Sequence, residues 1–242
     1  MKITFVGTSH GVPSAERYCT CIKLESNGCT YFIDAGAPVV DNMLRSGNDI
    51  GSLRAIFTTH EHSDHTSGLL QIADLINWYY KTCSADFFFT EQGLLEATEN
   101  WIRYTHPTKL FNSDRVCLKL AVEGVVYEDE NIKVEYIKTK HTEHSYSILV
   151  TEGDKRVLFG GDFSNKLAGN DVPDVIKEDI DAFVCEMAHF ELSTLAPYLD
   201  QCKAQKVFFI HVLERRYADI EAAKGTYPFE IITPDDNDSF EI

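Results

Sequence analysis

Apolar positions recur along this chain in two rhythms. The first is a series of short β-rich runs: Lys2–Val6, Tyr18–Leu24, Thr30–Ile33, Ala55–Thr58, Asp86–Thr90, Val116–Val122, Ile132–Lys138, Tyr146–Thr151, Arg156–Phe159, Ala182–Cys185 and Lys206–Ile210. Gly, Asn, Asp or Ser bound most of them, as strand ends require. The second rhythm has helical spacing, at Pro38–Arg45, at Thr66–Tyr80 with apolar Leu69, Leu70, Ile72, Ala73, Leu75 and Ile76, at Glu91–Tyr104, at Leu192–Cys202 and at Glu214–Lys224. Helices set between blocks of strands must cover sheet faces, so the pattern predicts an α/β chain of two packed sheets with helices outside. No internal repeat and no Pro- or Ser-rich linker divides it, which favours one domain over residues 1–242. Only a short acidic tail, residues 233–242, differs in composition, and Thr233-Pro234-Asp235-Asp236-Asn237-Asp238 is expected to be a solvated, frayed end.

Composition narrows the class. The 242 residues are 44% hydrophobic and 25% charged, near globular averages, and can bury a full core. No apolar run reaches the roughly 18 residues that span a membrane. The opening Met1–Gly7 reads as a strand entering a turn rather than a secretory signal, so a cytoplasmic location is expected. Seven scattered cysteines suit buried free thiols better than a disulfide framework, and Cys19-Thr20-Cys21 lacks the spacing of a zinc ribbon. Lys and Arg number 22 against 38 Asp and Glu, a net charge of −16. That charge repels polyanions and shifts weight from long nucleic acid to small substrates, although bound divalent cations would restore positive potential where a phosphate sits.

The chemistry concentrates at Thr59-His60-Glu61-His62-Ser63-Asp64-His65, directly after the β-like run Arg54–Thr58. His60 and His62 alternate by two, so on an extended segment their rings project the same way and can share one ion. Asp64 and His65 lie beyond a turn and can reach a second. A polar, His-rich surface loop is the bland reading, but such loops seldom open a long apolar helix.

This segment resembles the His-x-His-x-Asp-His signature of the metallo-β-lactamase superfamily. Gly7-Thr8-Ser9-His10-Gly11-Val12-Pro13 with Arg17 is similar to the opening motif of the ribonuclease Z and phosphodiesterase branch, and Ile33-Asp34-Ala35-Gly36 to the superfamily's early Asp-x-Gly turn. The resemblance implies a four-layer αβ/βα sandwich of two mixed β-sheets flanked by helices. It also implies two divalent metal ions per chain, one held by His60, His62 and His141, the other by Asp64, His65 and His211, with Asp162 bridging. His141 is preferred to His144 for its spacing to the following tyrosine. Asp162 follows two glycines and would otherwise read as a turn residue. His211 ends an apolar strand, where an unpaired polar side chain would be costly. By the same likeness His189 would bind phosphate and protonate a leaving group, Glu186 would orient a neighbour, and Asp64 would orient the nucleophile. Zinc is favoured by donor type, with manganese and iron open. His10 is a candidate for the mouth of the site, and His106 reads as an exposed loop residue.

The function so implied is a metal-dependent hydrolase of small phosphodiesters, cyclic nucleotides among them, acting through a metal-bridging hydroxide. The Arg17 match and the His189 spacing favour phosphate. Transfer-RNA 3′ processing is the alternative, but the interval from His141 to Asp162 has no room for ribonuclease Z's long arm, and Val212-Leu213-Glu214-Arg215 lacks the usual Phe-Ser. Hydrolysis of an ester, lactone, thioester or β-lactam on the same ions is a further alternative, since the pocket decides. A protein that merely binds would be expected to have lost ligands. No membrane partner is expected. A homodimer through the apolar face of Thr66–Tyr80 and packing of that face on a sheet are equally consistent with its periodicity.

Overall fold

A computed structural model describes residues 1–105, 110–167, 169 and 171–242. Two seven-stranded sheets run in mirrored order. The first is β14 (Asp238–Glu241), β1 (Lys2–Gly7), β2 (Cys21–Ser26), β3 (Cys29–Ala35), β4 (Leu53–Phe57), β5 (Ala85–Phe89) and β6 (Val116–Leu120). The second is β13 (Glu230–Ile232), β12 (Ala204–Val212), β11 (Ile180–Met187), β10 (Lys155–Phe159), β9 (Tyr146–Glu152), β8 (Lys133–Lys138) and β7 (Gly124–Glu128). Each is mixed. β3 to β6 are parallel while β14, β1, β2 and β3 pair antiparallel, and β10 to β13 are parallel while β7 to β10 pair antiparallel.

Strand periodicity sorts the core into layers, because successive side chains face opposite sides. In β4, Ala55 and Phe57 point between the sheets and Ile56 points outward. In β12, Phe208 and Ile210 point between them while Val207 and Phe209 point outward. The inner layer joins Phe5, Ile22, Tyr31 and Phe57 to Tyr136, Val150, Phe159 and Phe208. Outside the first sheet lie α1 (Val39–Arg45), α3 (Leu69–Trp78) and α4 (Gln92–Thr105); outside the second lie α5 (Leu192–Leu199) and α6 (Tyr217–Ala223). The apolar stripe of α3, Leu69, Ile72, Ala73 and Ile76, is buried on the first sheet. None of the described helices is long and apolar enough to cross a membrane. Six cysteines are buried and Cys117 is half-buried, all as free thiols.

Three sequence expectations need correction. The helix read over Thr66–Tyr80 is broken into a single turn α2 (Ser63–Thr66) and α3. Gly68 explains the break: its N–H donates to the Ala35 carbonyl at 2.7 Å, and a Cβ there would sit 2.2 Å from the Ala37 oxygen. The tail does not fray. β14 pairs with β1 from Lys2↔Glu241 to Phe5↔Asp238, and Phe240 meets Phe208 at 4.9 Å between ring centroids. The strand read from Tyr18 begins at Cys21, leaving Tyr18 half exposed. His106 lies outside the described residues.

Phe208 is fully buried and packs against both Phe5, with centroids 5.0 Å apart, and the edge-on ring of Phe240. Phe208→Ala is therefore expected to cost about 3–5 kcal/mol in denaturant unfolding, as large-to-small core changes do; a loss under about 1 kcal/mol would contradict this packing.

Candidate metal centre

One edge of the sandwich collects the carboxyl ends of β3, β4, β8, β10, β11 and β12, and the predicted site residues follow those ends. β4 leads through Thr58 and Thr59 to His60. Thr58 is held to the Phe88 carbonyl, and Thr59 donates its amide at 2.7 Å and its hydroxyl at 2.9 Å to the Asp34 carboxylate. His60 is thereby buried, while His62 caps α2 and stays exposed. α2 then carries Asp64 and His65 inward. β10 leads to Asp162 across Gly161, whose φ of +64° and contact with Thr59 exclude a larger residue. In β12, His211 is the extra residue of a bulge, since Glu186 pairs with Ile210 and Met187 with Val212. Its φ of +51° is rare outside glycine and turns the ring toward the centre.

The structure brings all seven predicted donors together. The donor atoms of His60, His62 and His141 lie within 4.8 Å of one another, as do those of Asp64, His65 and His211. Asp162 sits among both groups: one carboxylate oxygen is 3.4 Å from His211 Nε2, 3.7 Å from His141 Nε2 and 3.9 Å from His60 Nε2, and the other is 3.6 Å from His65 Nε2. His144 is not in any donor group among the described residues; its amide donates to Thr142 Oγ1. His10 stands beside His211 with ring centroids 6.4 Å apart.

Four of the imidazoles have the outward nitrogen occupied. His60 Nδ1 meets Thr59 Oγ1 at 3.1 Å, His65 Nδ1 meets Asp34 at 2.7 Å, His141 Nδ1 donates to the Phe163 carbonyl at 3.2 Å, and His211 Nδ1 meets Thr20 Oγ1 at 2.9 Å. Nε2 is left to face inward in each, the arrangement typical of metal-binding histidines. At the centre, His65 Nε2 and Asp162 Oδ1 are buried without a hydrogen-bond partner, a cost that a bound cation would remove. His60 Nε2 and His62 Nδ1 face each other at 3.0 Å and His62 Nδ1 and His141 Nε2 at 3.3 Å, crowded donors with no apolar or thiol neighbour in the set. The residues therefore fit divalent cations.

Burial pushes His60 and His141 below the ordinary imidazole range and His211 down to about 4, so these rings are neutral, with a lone pair free. Burial acts the same way on His65, but the Asp162 and Asp34 carboxylates outweigh it and raise that ring well above the usual value. Asp162 and Asp64 are held low against their own burial, Asp162 by His211 and His65 and Asp64 by the His65 ring 3.4 Å away.

Glu186 and His189 form a unit at the side of this cluster. Glu186 accepts His189 Nδ1–H at 2.8 Å and the amides of Ala188, His189 and Phe163. His189 lies 3.7 Å from Asp162 and, although its own burial lowers its pKa, the Glu186 bond and charge raise it above the imidazole norm.

Several residues escaped the sequence reading. Asp34 reads there only as part of a turn, yet it anchors both Thr59 and His65. Asp171 is fully buried and accepts Lys140 N–H and Ser164 N–H, each at 2.7 Å, tying the segment before His141 to the one after Asp162. Nothing in its sequence neighbourhood signals this. Arg17, cited from sequence only as part of the opening motif, donates to Thr8 Oγ1, the Pro234 carbonyl and Asp235, with Tyr217 5.7 Å away.

Residues 1–230 match the family described as Anti-Pycsar protein Apyc1. The chain belongs to that family. Among curated proteins, this Apyc1-family chain is similar to ribonuclease Z of Microcystis aeruginosa, with 30% identity over 169 residues that cover 69% of the chain and 52% of the relative. It spans about half the length of the curated relatives it matches. Among solved structures, the metallo-β-lactamase fold protein YhfI of Bacillus subtilis aligns with a TM-score of 0.79 at 15% identity, over 100% of this chain and 99% of that one. The short form of human tRNase Z aligns with a TM-score of 0.77 at 18% identity, over 100% and 99%. At such identities these structures speak for the fold, which is the αβ/βα sandwich that the motifs implied.

Asp34→Ala would strand the Thr59 amide and the outward nitrogen of His65 together. We expect it to cost about 3–5 kcal/mol of stability in the metal-free chain, the range for breaking a buried pair. An unchanged denaturation midpoint would contradict the anchoring role.

Proposed function

We propose that the chain is a binuclear metal-dependent hydrolase of small phosphodiesters. The observation that carries this reading is the convergence of five imidazoles and two carboxylates in two donor groups around Asp162. His60, His62 and His141 would hold one ion, Asp64, His65 and His211 the other, and Asp162 would serve both. When bound, such ions supply Lewis acidity that lowers the pKa of a water and neutralises charge on a phosphoryl group. Zinc suits a set dominated by imidazole.

The remaining steps fall to the chain's own residues. Asp64, ionised at working pH, accepts a hydrogen bond from the attacking water and aligns it. Glu186 fixes the His189 ring and favours its protonated form. With Nδ1 engaged by Glu186, the other nitrogen of His189 is the one available to bind a phosphoryl oxygen and give its proton to the departing alkoxide. A phosphodiester with an alkoxide leaving group needs that proton; an ester with an activated leaving group does not. The Glu186–His189 pair therefore supports phosphate chemistry over carboxyl-ester chemistry.

Transfer-RNA 3′ processing is the second reading, and its support is the similarity to ribonuclease Z. Against it stand the net charge of −16 and the short interval between His141 and Asp162, which the β9–β10 hairpin fills.

The decisive experiment combines elemental analysis with initial rates on bis(p-nitrophenyl) phosphate, a chromogenic ester and a transfer-RNA precursor. About two divalent ions per chain and chelator-sensitive diester turnover are expected. Ester turnover alone would move the assignment to carboxyl chemistry, efficient precursor cleavage would favour the second reading, and a chain that takes up no metal would refute the mechanism. His62→Ala and Asp162→Ala are expected to lose metal and abolish turnover. His189→Ala is expected to keep both ions while kcat on a diester with an alkoxide leaving group falls by about 10²–10⁴, the usual contribution of a general acid, and bis(p-nitrophenyl) phosphate, whose phenolate leaves without a proton, is much less affected; an unchanged kcat on the alkyl diester would remove it from the mechanism.

A further inference from the structure

His211 is held in a way that its own strand cannot supply. As the extra residue of the bulge it leaves the ladder, and its N–H donates instead to the Thr8 carbonyl at 2.8 Å. Its left-handed φ is a strained state that persists only where the surroundings over-determine it. Thr8 in turn is fixed from the far end of the sequence. One oxygen of Asp236 accepts the Thr8 amide at 2.9 Å and the Thr8 hydroxyl at 2.7 Å, and the other accepts the Tyr18 amide at 2.6 Å. Both ends of the loop between β1 and β2 thus close on a single carboxylate. Arg17 braces the arrangement through Thr8 Oγ1 and the Pro234 carbonyl, and the Asn237 amide donates to the Phe5 carbonyl at 2.6 Å, seating Asp236 against β1. The His211 ring is steadied from the same loop, by Thr20.

We propose that Asp236 is a positioning residue for His211, acting through Thr8, and that it governs the ion of the Asp64, His65 and His211 group rather than the ion of His60, His62 and His141. The inference rests on the binuclear reading for its consequence, though not for the backbone contact itself. Without the carboxylate, the Thr8 and Tyr18 amides and the Thr8 hydroxyl lose their acceptor, the Thr8 carbonyl is released, and the strained His211 backbone relaxes away from the centre. His60, His62 and His141 hang on Asp34, Asp171 and the Phe163 carbonyl and are not touched by this change.

The test compares wild type, Asp236→Ala, Asp236→Asn and Asp235→Ala, the last removing the same charge from an exposed neighbour that pairs with Arg17. Amide hydrogen exchange is read in the metal-free chains, and zinc is then titrated into each. In Asp236→Ala the His211 amide should exchange at least about tenfold faster than in Asp235→Ala, and one zinc per chain should weaken by about 10–100-fold while the other is unchanged. Asp236→Asn keeps an acceptor for Thr8 but turns an NH2 toward the Tyr18 amide, so it should fall between wild type and Asp236→Ala in both. If Asp236→Ala does not purify folded, Thr8→Val, which deletes one of the Asp236 bonds, should move both readouts the same way by about threefold. Equal His211 exchange in the variants overturns the proposal, as does an equal loss of both ions. A wild-type chain that binds no zinc refutes the binuclear reading, and the exchange rates still decide the backbone claim.

Discussion

An imidazole ring can offer a lone pair to a shared centre only if its other nitrogen is satisfied elsewhere, and five such rings crowd each other unless their backbones are pinned. Carboxylates outside the donor set do much of that pinning. Asp34 takes the Thr59 amide and the His65 ring, Asp171 takes amides beside His141 and Asp162, Glu186 takes the Phe163 amide and the His189 ring, and Asp236 takes Thr8, which holds His211. Each accepts main-chain N–H groups, and carboxylate acceptors make stronger bonds than neutral ones. The acidic balance of the chain is thus partly structural: some of its negative charge is spent inside, organising the groups that would meet cations.

The mirrored sheets make this geometry reachable. Parallel strands in each half, β3 to β5 in one and β10 to β12 in the other, end at the same edge, so loops from both sheets meet across the inner apolar layer. Phe57 and Phe159 seal that layer just beneath the cluster. The burial that this layer imposes also lowers the pKa of His60 and His211, so packing and donor chemistry have a common cause.

Much of the site was legible because metal chemistry restricts residue type and spacing. His60, His62, Asp64 and His65 stand within six positions, and His141, Asp162 and His211 each follow an apolar strand, so periodicity and motif pointed to the same places. The fold class was legible for a similar reason, since two apolar rhythms alternate along the chain. What stayed hidden were residues whose role depends on long-range contact. Asp171 and Asp236 sit in loop-like, polar stretches that look solvated, and only tertiary structure buries the first and half-buries the second. β14 was hidden likewise: its sequence is acidic, and its register comes from β1. Arg17 entered the sequence reading only as part of a motif match, and its structural role, a guanidinium taken up by Thr8 and the tail, depends on long-range contact.

The pairing of β1 with β14 has a kinetic meaning. Thr4 and Ser239 share a hydrogen bond across 235 positions of sequence, so β1 acquires its outer neighbour only through a contact that spans nearly the whole sandwich. Contacts of such separation demand the closure of a very large loop and slow folding. The loop that holds His211 closes on Asp236 from the same distant stretch, so the seating of that imidazole depends on a contact of the slow, long-range kind.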